Sequence, residues 1–351
     1  MLALSKQVSV PKIAAMYMGA VIGAGFASGQ EILQFIIVHG QDGIKEVVLV
    51  TFLFCYLGAI TLYLSRKLGT NNYLVLLNFL VGKKLAKLID IISLLMLAGG
   101  LSVMLSGSGA VFSEHFNIPA WYGILIIAGI NCLVLLCGMH GVLWINVILV
   151  PLKITAILIT SLLLIQLQNN PITANLAVQQ SENIRHWTFS GLLYVSYNMI
   201  LVIAVLSTIG KDINTKSAIA GGILGGLGLG VTAGVMVIAG LTVYPEITNY
   251  KVPMIYMAGI IGAGLRNTMG LLIWLAILTT TVANAHGFAS RVAEPGSYRY
   301  KMIGIGITLL AIPLARLDFD KLVGIIYPIF GYAGLLLIII LLVVPPVKYL
   351  R

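Results

Sequence analysis

The residues with the clearest capacity for chemistry stand in the middle of apolar segments. Residues 19–31 read GAVIGAGFASGQE, so glycines interrupt a stretch in which an apolar helix should be continuous. Ser28 and Glu31 form an S-x-x-E capping box, the signature of a helix that starts afresh. A helix that stops inside a bilayer leaves backbone groups unpaired, which is tolerated only where they line a cavity or bind something. We therefore predict a polar site, built largely from backbone, at membrane depth.

Two later segments place polar side chains at mid-helix. The segment 191–210 carries Tyr194, Ser196, Tyr197 and Asn198. Such a cluster usually faces a bundle interior, although it can also serve only as hydrogen-bonding contacts between helices. The segment 267–287 carries Thr279, Thr280 and Thr281, of which at least one should face the bundle. Hydroxyls and freed carbonyls are hard oxygen ligands that suit an alkali cation, which would lie near the partly negative end of the first half-helix.

Lys153 is a charged residue at the centre of an apolar segment, NVILVPLKITAILITSLLL. A charged lysine there costs about 3 kcal/mol on insertion scales. It lies about 10 residues, or roughly 15 Å, from the inner end of its segment, which is far for a side chain that only reaches toward the cytoplasm. A buried lysine can release its proton, so Lys153 could instead carry a proton. The threonines favour sodium and Lys153 favours protons, and of the two we expect sodium.

The composition requires these segments to lie in a membrane. The chain has 351 residues, of which 59% are hydrophobic and 9% charged, whereas soluble domains carry about 25% charged residues. Because about 20 apolar residues span the hydrocarbon core, we predict ten transmembrane helices. They fall at residues 10–38, 43–65, 85–113, 119–138, 142–167, 188–209, 217–243, 267–291, 300–315 and 320–346. Most lysines and arginines then lie on one side, which predicts a multi-pass protein of a bacterial cell membrane with both termini cytoplasmic.

The ten spans divide into two halves of nearly equal length within one integral membrane domain, residues 1–351. The long polar connection 166–187 separates residues 10–166 from residues 188–346, and each half holds five spans. An odd number of spans gives the halves opposite topology, so we predict a 5+5 inverted repeat with broken helices 1 and 6. Residues 252–265 are short for a span, and we interpret them as an external helix that is either a lid over the site or an ordinary interfacial helix.

These patterns resemble the LeuT-fold, or amino acid–polyamine–organocation, superfamily of transporters. The stretch MGAVIGAGFASGQEI more closely resembles the YkvI-like bacterial membrane proteins. The resemblance implies a sodium site formed by the carbonyls of Gly19, Ile22 and Ala276 and by the hydroxyls of Thr279 and Thr280. Some proton-coupled members of the superfamily carry a lysine in span five, which Lys153 resembles in position. The resemblance implies that the Lys153 ammonium could occupy the cation position and exclude sodium.

The same resemblance implies a substrate site between spans one, three, six and eight. Backbone N–H groups of Ala24, Gly25 and Phe26 would hold a substrate carboxylate. Further lining residues would be Gly99, Gly100, Ser102, Tyr194, Tyr197 and Asn198. Glu31 does not fit a simple amino-acid carrier, because a carboxylate beside this pocket repels an anionic substrate unless it is protonated. Besides its role as a helix cap, Glu31 could carry a proton or pair with an ammonium, which leaves room for amine substrates.

We therefore expect an all-α secondary active transporter of a small solute, an amino acid or related amine, with Na⁺ as a possible coupling ion. It would work by alternating access, with no cofactor, no nucleic-acid partner and no enzymatic activity. The partners would be the substrate and the lipid bilayer, and the sequence carries no indication of oligomeric state. The alternative is a membrane ligand sensor that does not transport, such as a germinant-receptor-like subunit.

Overall fold

A computed structural model describes residues 8–137, 140–168 and 186–349. These residues form helices and no strands, and most of the predicted connection 166–187 lies outside them. The helices are α1 Val10–Val21, α2 Ala24–Ser28, α3 Gln30–Phe35, α4 Gln41–Lys67, α5 Tyr73–His115, α6 Ala120–Cys137, α7 His140–Leu167, α8 Trp187–Leu206, α9 Thr215–Thr242, α10 Pro253–Ile261, α11 Ala263–Val292, α12 Tyr298–Ala315 and α13 Phe319–Tyr349. Short 3₁₀ turns occupy Ile37–His39, Ser207–Asp212 and Glu246–Asn249.

The first predicted span is broken, as its glycines indicate. α1 ends at Val21, because Ile22 (ψ 69°) and Gly23 (ψ −166°) leave the helical conformation. α2 then runs from Ala24 to Ser28, and the next residue, Gly29, ends it with a left-handed φ of 83°. Glycine adopts this conformation without a steric penalty, so it can separate α2 from α3 directly.

The capping box predicted from Ser28 and Glu31 is not formed. The residue before α3 is Gly29, which has no side chain to cap the helix, and Ser28 Oγ accepts only a long hydrogen bond from the Gln30 nitrogen at 3.3 Å. Ser28 Oγ instead donates a hydrogen bond to the Gly25 carbonyl at 2.8 Å. Glu31 turns away from the helix start and accepts a hydrogen bond from Tyr197. The cap prediction was wrong because the left-handed glycine ends one helix immediately before the next begins.

The predicted break in the sixth span is also wrong, because α8 is helical without interruption from Trp187 to Leu206. Its central part, residues 192–206, contains neither glycine nor proline. The amide of Asn198 donates to the Tyr194 carbonyl at 2.9 Å, one helical turn earlier. α8 can therefore contribute side chains to the site, but its central backbone groups are not freed by a break.

Helix contacts fall into two main groups. In one, α9 packs against α4 and α1, and α8 packs against α4 and α13. In the other, α11 packs against α5 and α7, while α6 packs against α5 and α12. Close approach of α4 and α9 depends on glycine: a Cβ on Gly226 would lie 2.4 Å from the Cys55 nitrogen, and one on Gly222 would lie 2.4 Å from the Ala59 nitrogen. Such backbone contact is typical of small residues at helix interfaces in membranes.

Eight helices within the described residues are long and apolar enough to cross a membrane: α4, α5, α6, α7, α8, α9, α11 and α13. α5 is longer than its predicted span, because a kink at Gly82 (φ 77°) joins it to a preceding helical segment. The described part of the chain is therefore an all-helical, membrane-type bundle.

Candidate functional site

The carbonyl end of the break contacts a lysine of the chain itself. Lys153 Nζ on α7 donates to the Ile22 carbonyl at 3.0 Å, and the lysine is only 3% exposed. Gly19 of α1 lies beside α7, since a Cβ there would be in ordinary van der Waals contact with Val150, at 3.4 Å. The end of a helix carries partial negative charge, which favours a cation. The ammonium group of Lys153 therefore lies at the position where the sequence predicts a bound cation.

The threonines predicted to bind sodium lie close together on α11. Thr279 and Thr280 both donate to the Ala276 carbonyl, at 3.0 and 2.8 Å. α11 packs against both α2 and α7. The hydroxyl oxygens keep lone pairs that could bind a cation, but the Ile22 carbonyl already accepts from Lys153. Sodium ligation by this set stays a prediction.

Glu31 lies against the other end of the break. The Tyr197 hydroxyl on α8 donates to Glu31 Oε2 in a short hydrogen bond. A Cβ added to Gly25 would lie 2.0 Å from Glu31 Oε1, so only glycine leaves room for the carboxyl group here. Ala24, Gly25 and Phe26, predicted to offer backbone N–H groups, form the first turn of α2 and are buried. The structure therefore brings these residues together with Glu31 and Tyr197.

Other residues predicted to line the substrate site make contacts with their own helix or with a neighbouring helix instead. Ser102 donates to the Ala98 carbonyl on its own helix at 3.4 Å, and Asn198 uses its amide on α8. Gly99 faces α13, since a Cβ there would lie 2.8 Å from the Phe330 ring. Gly100 faces Asn284 of α11. These residues pack the helices together around the site, and their contact with a substrate stays a prediction.

Aromatic residues that the sequence analysis missed complete the site. Tyr327 of α13 stacks on Tyr197 with ring centroids 4.8 Å apart. Phe35 lies 5.6 Å from the Tyr194 ring and 5.7 Å from the Tyr197 ring. We define the aromatic cluster as Phe35, Tyr194, Tyr197 and Tyr327. In the sequence Phe35 and Tyr327 look like ordinary members of apolar helices, and only their contacts distinguish them.

The short predicted external helix covers the break. α10 places Pro253 and Met254 against Gly29, where an added Cβ would lie 3.2 and 3.1 Å from them, and Met254 is fully buried. Glu114 of α5 accepts from the backbone nitrogens of Lys251 and Val252 at 2.7 and 3.0 Å, just before α10. α10 therefore packs over the broken helix at Gly29, and the hydrogen bonds from Glu114 hold the residues just before its first turn.

A second attachment of this cover is an ion pair. The Lys251 ammonium bonds Asp318 between α12 and α13, and Lys321 bonds the other oxygen of Asp318 at 2.8 Å. Hydrogen bonds from these two lysines lower the pKa of the Asp318 carboxyl to about 2. The carboxylate is therefore charged throughout the physiological pH range, so the attachment does not depend on pH there.

Two proteins of one bacterium are similar to this chain in sequence over nearly its whole length. The chain is 28% identical over 336 residues to the uncharacterized membrane protein YkvI of Bacillus subtilis (strain 168), covering 93% of each chain. It is 29% identical over 331 residues to the uncharacterized protein YyaD of the same organism, covering 94% of this chain and 95% of that protein. No family model matches the chain.

Two solved structures share the fold. Mhp1 in an inward-facing conformation matches with a TM-score of 0.62 at 15% identity, over 95% of this chain and 76% of that one. A substrate-bound, outward-open Na⁺-coupled sialic acid symporter matches with a TM-score of 0.58 at 11% identity, over 93% and 76%. The chain therefore shares the fold of these two proteins. In sequence it is similar to YkvI over nearly its whole length.

Proposed function

We propose that the protein is a secondary active transporter that moves a small solute, an amino acid or related amine, by alternating access. The observation that carries this proposal is the broken helix α1–α2 at the centre of the bundle. Its carbonyl end contacts Lys153 and its other end contacts Glu31, so two buried ionisable groups meet interrupted backbone. In a membrane such an arrangement is typical of an ion or substrate pathway. The fold shared with sodium-coupled symporters supports the proposal.

The proposed architecture has ten crossings of a bacterial cell membrane, arranged as inverted repeats over residues 10–166 and 188–346. Contacts between loops at the two ends of the bundle support this order of crossings, in which successive helices run in opposite directions. At one end of the bundle the Val8 nitrogen donates to the Asp212 carbonyl at 3.0 Å, and the Lys211 nitrogen donates to Asn71 at 2.8 Å. At the other end Lys251 contacts Asp318. α12, which has 18 residues and is not among the eight long apolar helices, would then cross between the two ends, and both termini would be cytoplasmic.

We propose that alternating access moves the group α1, α4, α8 and α9 relative to the group α5, α6, α11 and α12. The substrate would bind between them, against Ala24, Gly25 and Phe26 of α2 and against Tyr194 and Tyr197 of α8. α10 would cover this site from the outer side, because it already packs against Gly29. Gly99, Ser102 and Asn198 would line the site from behind.

For ion coupling, the contact between Lys153 and Ile22 favours the ammonium group as the occupant of the cation position. Release of the Lys153 proton would remove the charge from its hydrogen bond to the Ile22 carbonyl, and the weaker bond would couple protonation to the conformation of the break. Sodium, expected from the sequence, is the second candidate, because Thr279, Thr280 and Ala276 gather three oxygen atoms on α11. The two candidates exclude each other at the Ile22 carbonyl.

The experiment that tests the function uses the purified chain in proteoliposomes. A panel of tritiated amino acids and amines would be offered with an inward proton gradient, an inward sodium gradient, or neither. A transporter accumulates at least one compound above its external concentration under one of the gradients. Binding of a compound without accumulation under either gradient would instead identify a ligand sensor.

A further inference from the structure

Glu31 is a buried carboxyl group without a cationic partner. It is 5% exposed, and none of the ion pairs among the described residues includes it. The other buried ionisable group at the break, Lys153, contacts the Ile22 carbonyl instead. Tyr197 supplies a hydrogen bond but no charge. A buried carboxylate needs a cation or a proton, because an unpaired charge is costly in a medium of low polarity.

The surroundings of Glu31 would favour a positively charged ligand. Tyr197 bonds Glu31, and its ring centroid lies 5.7 Å from that of Tyr194 and 4.8 Å from that of Tyr327. The Tyr194 hydroxyl is fully buried and has no hydrogen-bond partner among the described residues. The rings of the aromatic cluster add π faces, each of which attracts a cation by about 0.5–2 kcal/mol. A carboxylate, an unpartnered hydroxyl and aromatic faces together match an ammonium group.

The same surroundings would reject a ligand carboxylate. Two like charges about 4 Å apart repel each other by about 4 kcal/mol at an effective dielectric constant of 20. Because Glu31 Oε1 lies against Gly25, a carboxylate bound to the first turn of α2 would stand close to the Glu31 carboxylate. When Glu31 is ionised, the chain itself supplies an anion at this place.

We propose that the transported substrate is an organic cation without a carboxylate, a primary amine whose ammonium group binds Glu31 and the Tyr194 hydroxyl. This proposal rests on the proposed transport function and names the substrate class of the same site. The aromatic cluster contacts the ammonium and the adjoining methylene groups. α10 closes over the bound amine through Met254 and Pro253.

The experiment compares pairs of compounds that differ only in a carboxylate. The thermal stability of the full-length protein in detergent would be measured with cadaverine against lysine, agmatine against arginine, and tyramine against tyrosine. At least one amine should raise the melting temperature, and its parent amino acid should need at least a hundredfold higher concentration for the same shift. Glu31→Gln should weaken the response to the amine at least tenfold, and Glu31→Asp, which keeps the charge, should weaken it less.

The matched control is Glu46→Gln, which removes another buried carboxylate, one that contacts His39 at 2.7 Å. It should leave the amine response in place. An amino acid that binds as well as its amine, an unchanged response in Glu31→Gln, or no response to any amine would overturn the substrate class. The first two results would leave transport standing, because accumulation under an ion gradient is measured independently.

Discussion

Replacement of Lys153 by methionine should turn a protein that does not bind sodium into one that does. The ammonium group bonds the Ile22 carbonyl at 3.0 Å, so a sodium ion on the same carbonyl would lie about 4 Å from it. At an effective dielectric constant of 20 the repulsion is about 4 kcal/mol. This corresponds to about a thousandfold in affinity. Methionine keeps an unbranched apolar stem and removes the charge, which frees Ile22 to act with Thr279 and Thr280.

The assay is thermal stability in detergent as sodium replaces potassium at constant ionic strength. A ligand that binds only the folded state stabilises it by about 2.7 kcal/mol at a hundred times its Kd. Lys153→Met should therefore show a saturable rise in melting temperature with sodium, and the unmodified protein should show none. Lys45→Met removes an exposed lysine and serves as the control. Saturable stabilisation of the unmodified protein by sodium would refute the assignment of Lys153 to the cation position.

Two further predictions concern the packing and the cover. Gly226→Leu should lower the free energy of unfolding by about 1–3 kcal/mol, because its Cβ would lie 2.4 Å from the Cys55 nitrogen. Gly129→Leu, with nothing within 4 Å of its Cβ, should be tolerated in the same unfolding assay. Asp318→Asn should speed the labelling of a cysteine placed on the buried face of α10, while Asp42→Asn, in a local ion pair of α4, should not. Since the pKa of Asp318 is lowered to about 2, its stabilising contribution is present above pH 4 and is lost as pH falls toward 2. Equal labelling in the two variants would contradict the attachment.

The break in the first span could be predicted from the sequence because its cause is local. Closely spaced glycines in an apolar segment weaken a helix wherever the segment is placed. The exact geometry could not be predicted in this way. Ser28 and Glu31 match a capping box, but the carboxyl group of Glu31 binds Tyr197, a residue 166 positions later in the chain. A local pattern does not reveal such a competing partner.

The break predicted for α8 rested on symmetry between the two halves and not on its own residues. With no glycine or proline in residues 192–206, nothing local interrupts the helix. The aromatic cluster could not be predicted either, since Tyr327 and Phe35 come from helices far apart in the sequence. The contact of Lys153 with Ile22 was foreseen only as one of two alternatives. The distance of 3.0 Å between their atoms is what favours the ammonium group.

The central claim is that buried charges at the broken helix couple an ion gradient to solute movement. It is tested most directly by uptake of tritiated amines and amino acids into proteoliposomes under an inward proton gradient, with sodium equal on both sides. At least one compound should accumulate above its external concentration, and Lys153→Met should abolish this accumulation. Binding of compounds with no accumulation under this proton gradient, or accumulation that is unchanged in Lys153→Met, would show that the buried charges do not couple the gradient to solute movement.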